Sequence, residues 1–389
     1  MGINGLTKFL KKYAPDSLQE IDIDALNGSK IAFDTSILIY QFVIAIRSTI
    51  KDIVNESGKS ISHIHASIMK TKSFINKKIC PIFVFDNKPP TIKFETIDKR
   101  SKTRNDASNL LESIDLSHDD KVKYLKQSTK ITAAEMNECK EVLTLMGIPT
   151  INSYEEADPQ CAFLNKKKYV DAVASEDMDL LTFGTKVLLR NMTKKKILKI
   201  ELEVILKDLQ LTYEQFVDLC ILFGCDYCPT IPGVGRERAY ILIKSYGSIN
   251  AMLADNKIII NKKTITIPNE FRERYPFAKD YFINPPINKD IEKLLVWNEP
   301  KYEELNKLLK EKYSYKNNML NNLVLKPLFC NHYNNLINKS YADIPTININ
   351  NNVNNIDKFL DSDDDKQDAD ILGVHELVKV ISNNTNNKL

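Results

Sequence analysis

Acidic residues recur just past short apolar runs. Asp34 closes "KIAFD" and Asp86 closes "PIFVFD"; Glu156 and Asp158 lie in "EEAD", and Asp177 and Asp179 in "SEDMD". Asp226 follows the apolar run "FVDLCILFG". Carboxylates gathered in one crevice repel, and some stay protonated unless cations relieve them. Magnesium suits such a set: it takes oxygen ligands, keeps much of its water, and is often held by a few carboxylates plus a substrate phosphate. Two such ions can activate water and stabilise the leaving oxygen of a phosphodiester. The pattern therefore points to metal-dependent phosphodiester hydrolysis. A simpler reading competes with it. An Asp at a helix start accepts hydrogen bonds from free amides as an N-cap. For any single acid capping is the simpler account; only the set argues for metal.

Asp226 sits between Cys225 and Cys228, the C-x-x-C spacing of a redox pair or half a zinc site. Zinc needs two further ligands nearby. No second C-x-x-C and no H-x-x-x-H exists, and the five histidines are dispersed. A thioredoxin-like pair needs a βαβ setting, whereas this one follows a helix-like run. Seven scattered cysteines fit a reducing compartment better than a disulfide framework. The thiols are set aside in favour of the acid between them.

The elements that must position these acids form an α/β pattern. "KIAFD" and "PIFVFD" read as parallel strands buried on both faces. The helix-like stretches "TSILIYQFVIAIRS" and "ISHIHASIMKTKSFINKK" lie between them, as expected of a doubly wound fold. Residues 88–130 are polar, rich in Lys and Arg, and read as a helical insertion. From Thr132 the pattern resumes: a helix ending at Gly147, the strand "IPTIN", a helix from "EEAD", then the strands "YVDAVAS" and "KVLLRNM". "TYEQFVDLCILFG" is a helix, and "PGVGRERAYILIKSYGS" a glycine turn opening another; "VWNEPKYEELNKLLKEKYS" is a late amphipathic helix. In parallel sheets ligands bind beyond the carboxyl ends of the strands. Acids placed after several such strands converge on one edge. The expected fold is α/β: a twisted, mostly parallel sheet flanked by helices, with a helical insertion.

Charge is uneven. Residues 357–370 hold seven acids against two lysines, so the rest of the chain is more basic than its net +3. A mildly basic body suits a polyanionic partner. No apolar run is long enough to span a membrane, and the N-terminus lacks a signal-peptide core, so a soluble, intracellular protein is expected; it is expected to be a monomer. Residues 331–389 are Asn-rich and acidic, the composition of a disordered tail.

"MGINGL", "IAFDTSILIYQF", "VFDNKPP", "EADPQCA", "SEDMDLLTFG", "FVDLCILFGCDYC" and "IPGVGRERA" resemble, in order and spacing, the flap endonuclease branch of the XPG-type 5′ nucleases. The resemblance runs from residue 1 to about 330. It implies one nuclease domain over 1–330: an N-terminal nuclease region 1–107, a gateway and cap at 88–130, an internal nuclease region 131–222 and a helix–two-turn–helix DNA-binding element in 223–260. It implies a two-metal enzyme cutting DNA at 5′ flaps, nicks or gaps in replication and repair, with 5′ exonuclease activity. Related readings are an exonuclease or junction-cutting relative, or a catalytically silent junction-binding protein. The resemblance assigns metal binding to Asp34, Asp86, Glu156, Asp158, Asp177, Asp179 and Asp226, with Asp179 also counted catalytic. The basic pair beside the scissile phosphate falls on Lys93 and Arg100. Gly2, Tyr40, Arg47, Lys130, Gly233, Gly235 and Arg238 fall on DNA-contacting positions, Tyr40 as the aromatic that packs on a base. Two magnesium ions are implied, with manganese as a substitute, and a potassium ion at the glycine turn. The localisation implied is the nucleus in a cell, or the replication site or virion of a virus.

The sequence also departs from the pattern. Asp158 stands where a Glu is commoner, which favours exonuclease action. Pro159 follows it, tolerable in a first helical turn. Glu237 replaces a common lysine and is expected to weaken duplex grip. Ile356, Phe359 and Leu360 keep the spacing of a sliding-clamp (PCNA-type) motif, but Val353 replaces its glutamine.

Overall fold

The computed structural model describes residues 2–49, 52–111, 116–255, 258–260 and 263–315. The chain begins with α1 (Leu6–Tyr13), which buries Leu6, Phe9 and Leu10. The strand β1 (Leu18–Asp22) follows, then β2 (Lys30–Asp34), buried along its whole length. Helices α2 (Thr35–Thr49) and α3 (Ser62–Asn76) lead into β3 (Cys80–Phe85), also wholly buried. The polar stretch forms α4 (Phe94–Leu111) and α5 (His118–Ser128), entered by a 3₁₀ turn at Thr91–Lys93. Next come α6 (Ala133–Leu145), β4 (Thr150–Asn152), α7 (Ala157–Lys166), β5 (Ala172–Ala174) and the short α8 (Asp179–Thr182). A capping box between Thr132 and Glu135 starts α6, and Gly147, at φ +76°, lets the chain leave it.

The strands β6 (Val187–Arg190) and β7 (Lys196–Glu201) complete the main sheet. The helices α9 (Leu202–Leu209), α10 (Tyr213–Phe223), α11 (Arg236–Tyr246) and α12 (Ile249–Ala254) follow, and then α13 (Asn269–Ile283) and α14 (Tyr302–Glu311). Sheet order is β1-β7-β6-β5-β2-β3-β4. The run from β6 through β5, β2 and β3 to β4 is parallel, while β7 pairs antiparallel with both β6 and β1. The mostly parallel α/β sheet matches expectation. Pro81 lies inside β3 without breaking it. Its side of the strand faces β4, whose pairing begins only at Phe83, so no ladder hydrogen bond is lost.

The antiparallel edge escaped the sequence reading. "LQEID" and "KILKIE" are partly buried and mix polar with apolar residues, Lys199 among the buried ones, so neither shows the continuous apolar run that marks the central strands. The parallel strands settle the placement of the acids. β5, β2, β3 and β4 are neighbours in the sheet and run the same way. Their carboxyl ends therefore share one edge. Asp34 ends β2 and Asp86 follows β3, while the Glu156/Asp158 and Asp177/Asp179 pairs follow β4 and β5. Among the described residues, no helix is long and apolar enough to cross a membrane.

Candidate active site

The capping and metal readings of the acids prove compatible. Asp86 Oδ1 accepts from the Ala157 amide at 2.8 Å and so caps α7 from outside it. Asp177 Oδ1 accepts from the Asp179 amide at 3.0 Å. Asp34 Oδ1 accepts weakly from Ile37 at 3.4 Å, and its Oδ2 accepts from Ser175 Oγ at 3.1 Å. Glu156, although the N-cap residue of α7, makes no side-chain capping bond. Asp158 and Asp179 each carry a buried Oδ1 with no hydrogen-bond partner. Unlike the other partnerless buried atoms, these two belong to carboxylates crowded by further carboxylates, the setting that a cation would relieve.

The electrostatics follow. Burial, and then the neighbouring Asp86 charge, pushes the Asp34 carboxyl up to about 8. Burial, reinforced by Asp34 and Asp177, raises Asp158 well above the usual range. Burial, reinforced by Asp177 and Asp226, does the same to Asp179. These mutual influences place the acids in one field, at an energetic cost that cations would offset.

Two side chains already supply positive charge. Lys93 Nζ lies 2.5 Å from Glu156 Oε1 and 3.2 Å from Asp226 Oδ2. Burial alone would lower the Lys93 ammonium, but Glu156 and Asp226 outweigh it and hold it above the ordinary lysine range. Arg100 Nη2 reaches both oxygens of Asp226 at 2.8 Å. Both cations come from the start of the helical insertion, with Thr96 Oγ1 donating to the Asp226 carbonyl at 3.0 Å. The sheet edge supplies the acids, and the insertion brings the basic pair to them.

The N-terminus seals the other side. Gly2 has φ +84°, and a Cβ there would stand 2.0 Å from Asp177 Oδ1 and 2.6 Å from Asp179 Oδ1. Only glycine fits on both grounds. The Asn4 amide donates to the Gly224 carbonyl at 3.1 Å, tying this segment to the end of α10 beside Asp226.

The remaining expected contact residues lie farther out. The Tyr40 hydroxyl donates to the Lys126 carbonyl at 2.5 Å, so its ring stands between α2 and the insertion. Arg47 pairs with Asp52 at 3.1 Å. Lys130 is exposed. Gly233, at φ +82°, forms the turn before α11, and Gly235 is that helix's N-cap residue. Arg238 Nη1 donates to the Gly233 carbonyl at 2.5 Å. A guanidinium there competes with the potassium ion that the resemblance puts at this turn. Glu237 pairs with Lys12 at 2.9 Å and accepts from the Tyr13 hydroxyl. It fastens α11 to α1, a role the sequence did not suggest. Ile356, Phe359 and Leu360 lie outside the described residues.

Sequence reasoning missed Tyr227, Ser175 and Thr96. The Tyr227 hydroxyl donates to Glu156 Oε2 at 2.6 Å, opposite Lys93. Its only signal was adjacency to Asp226. Cys225 and Cys228 pair across an isolated antiparallel bridge, a turn that carries Asp226 between them. Burial raises both thiols, Cys228 to about 12, so neither is a thiolate at neutral pH.

Among the described residues, no three His, Cys, Asp or Glu side chains already close round a single point. The acids border a crevice into which Lys93 and Arg100 reach. The donor set is nonetheless all oxygen, and two of its buried oxygens lack partners. That chemistry fits a hard divalent cation, which would compete with Lys93 for Glu156 and Asp226.

Comparison with known proteins places the chain in a family. Residues 1–107 match the XPG N-terminal domain and residues 147–226 the XPG I-region. Flap endonuclease 1 of Danio rerio is 40% identical over 314 residues, 77% of this chain and 79% of that protein. The Theileria parva protein of the same name is 42% identical over 296 residues, 74% of this chain and 58% of the relative. The Plasmodium knowlesi protein is 39% identical over 336 residues, 81% of this chain but 56% of its own length. The chain thus spans little more than half of several of the curated relatives it matches. Flap endonuclease-1 from Methanococcus jannaschii superposes with TM-score 0.62 at 28% identity, covering 82% of this chain and 96% of that one. The catalytic core of Rad2 in complex with DNA substrate shares the fold, at TM-score 0.61 and 23% identity over 84% of this chain and all of that one. The acid-edged parallel sheet with its basic helical insertion is therefore that of a known family, and this chain belongs to the flap endonucleases of the XPG-type nucleases.

Proposed function

We propose that this protein is a structure-specific 5′ nuclease that hydrolyses DNA phosphodiesters where a single strand meets a duplex, at 5′ flaps, nicks and gaps. The observation that carries the reading is the pair of buried, partnerless oxygens on Asp158 and Asp179, facing the same crevice as Lys93 and Arg100. Asp34, Asp86, Glu156, Asp158, Asp177, Asp179 and Asp226 would hold two magnesium ions, with manganese as a substitute. When bound, such ions activate water and stabilise the leaving oxygen.

The chain's own residues do the rest. Lys93 and Arg100 exchange their carboxylate partners for the scissile phosphate and stabilise charge developing on its oxygens. Tyr227 holds Glu156 in place when Lys93 leaves it. Gly2 keeps the crevice narrow without intruding on Asp177 and Asp179. The turn at Gly233 and Gly235, with Arg238, Arg47 and Lys130, grips the duplex backbone, and Tyr40 supports the base beside the cut. Asp158, shorter by one methylene than the commoner Glu, favours 5′ exonuclease action beside flap cutting. The protein acts as a monomer in replication and repair, in the nucleus if cellular or at the replication site or in the virion if viral. A sliding clamp engaging Ile356, Phe359 and Leu360 belongs to the same proposal.

The test uses the protein without an N-terminal extension on labelled double-flap, nicked and four-way-junction DNA, with and without magnesium. Magnesium-dependent cutting at the flap base is expected. Silence on every substrate would overturn the nuclease reading; a preference for four-way junctions would overturn the flap assignment.

A further inference from the structure

We propose that Arg274 of α13 is a positioning residue for the basic gateway: it fixes the start of α4, and with it Lys93, against the acids. The inference rests on the nuclease reading above and names a residue outside the expected site.

Three contacts carry it. Arg274 Nη1 lies 2.6 Å from Glu95 Oε2 and 3.2 Å from Glu270 Oε1, and Nη2 donates to the Ile92 carbonyl at 3.4 Å. Ile92 and Glu95 bracket Lys93 in the chain. The guanidinium therefore holds the backbone just before Lys93 and the side chain two positions after it. Glu270, one turn back on the same helix, orients the fork.

The two helices joined this way are anchored very differently. α13 buries Phe271, Tyr275, Ala278, Tyr281 and Phe282 and packs on α10. In α4, Ala107 is the one side chain described as buried. The body of α4 packs on α5, while polar ties hold its start and the turn before it: Thr96 and Arg100 to Asp226, and Arg274 to Ile92 and Glu95. The first two ties end on an acid of the site itself, whose partners change when phosphate and metal arrive. Arg274 reaches the start of α4 from outside the acid set.

An exposed ion pair adds little to global stability, so stability is not what Arg274 offers. Its planar fork fixes direction, which a lysine's point charge cannot do. Displacement of a phosphate-binding cation by about 1 Å is enough to cost up to about a hundredfold in rate. Arg274 touches no reacting atom, so its effect should fall on the chemical step through Lys93 and leave DNA affinity alone.

The experiment compares wild type, Arg274→Gln, Arg274→Lys and Glu95→Gln in single-turnover cleavage of double-flap DNA, with binding measured in parallel. Arg274→Gln and Glu95→Gln are expected to slow cleavage about tenfold at unchanged dissociation constant, with Arg274→Lys recovering part of the loss. In a Lys93→Ala background Arg274→Gln should cause no further loss. Amide hydrogen exchange over residues 91–100 of the DNA-free protein should quicken in Arg274→Gln, with residues 213–223 unchanged. A wild-type rate, a loss of affinity matching the loss of rate, an additive loss beside Lys93→Ala, or unaltered exchange at 91–100 would each overturn the proposal. The exchange measurement needs no cleavage. A protein that cuts nothing yet shows the quickened exchange would retain the tether and lose the nuclease reading.

Discussion

Asp218 in α10 and Asp179 at the start of α8 are both sealed from solvent, at 0% and 1% exposure. Around Asp218 the protein provides Lys279 Nζ at 2.9 Å, the Tyr275 hydroxyl at 3.2 Å and the Ile249 amide at 3.0 Å. Around Asp179 it provides further acids, and Oδ1 has no partner. The same side chain is buried twice, once satisfied and once not. A satisfied buried carboxylate ties α10, α12 and α13 together. A buried carboxylate left wanting costs stability, and such a cost persists where a ligand is meant to meet it.

Exchanging the two kinds of site by mutation gives the sharpest contrast. Asp179→Ala is expected to lower single-turnover cleavage about a thousandfold while sparing binding to flap DNA. Its unfolding free energy in metal-free urea titration should hold steady or rise. A clear loss of stability instead would mean that Asp179 is structural in the manner of Asp218.

Asp218→Ala should do the reverse. It strands Lys279 and the Ile249 amide, and urea unfolding should show a loss of about 3 kcal/mol. Cleavage per folded molecule should remain near wild type. If activity falls with no change in unfolding, α10 serves the chemistry directly and the contrast collapses.

The pH dependence should separate the regions further. Asp34, pushed up to about 8, and Asp158 and Asp179, also raised, hold protons in the folded state that the unfolded chain releases near pH 4. Their contribution is fully present below that point and lost as pH rises toward 8. Chelated protein should therefore unfold at lower urea at pH 8 than at pH 5.5. Saturating magnesium should remove most of this slope by stabilising the ionised acids. Burial raises Asp218 as well, so a residual slope that magnesium does not touch is expected.

The smallest effect belongs to the surface. Glu237 and Lys12 are exposed, and Glu237→Ala should leave the unfolding midpoint unresolved from wild type. Duplex binding should tighten slightly at low salt and converge with wild type as salt rises. A large destabilisation would show that the α1–α11 link does more than its exposure suggests.

Much of the site could be read before folding was considered. β2 and β3 announce themselves because a strand buried on both faces is an unbroken apolar run, and an acid that ends such a run stands out. Asp34 and Asp86 were found this way, and the paired acids by their spacing and position after weaker strand signals. Tyr227, Ser175 and Thr96 gave no comparable signal. Each contributes a single hydroxyl to a residue it does not resemble, and hydroxyl residues are common. The edge strand β1 and its neighbour β7 were missed because polar residues interrupt their apolar positions, so each resembles a polar loop. The link from Glu237 to Lys12 and Tyr13 gave no signal because those partners lie more than two hundred positions away.

Local chain chemistry thus determined which segments are buried strands, that acids follow them, and that a polar basic helix pair interrupts the pattern. Those properties depend on neighbours within a few residues, and the sequence displays them directly. Tertiary structure decided the rest. It selected which carboxylate oxygens cap helices and which stay without partners, set Lys93 between Glu156 and Asp226, and brought Arg274 to Glu95 across 179 positions. Each outcome depends on sheet order and helix packing, where displacements of an ångström make or break a hydrogen bond and no local pattern records the distance.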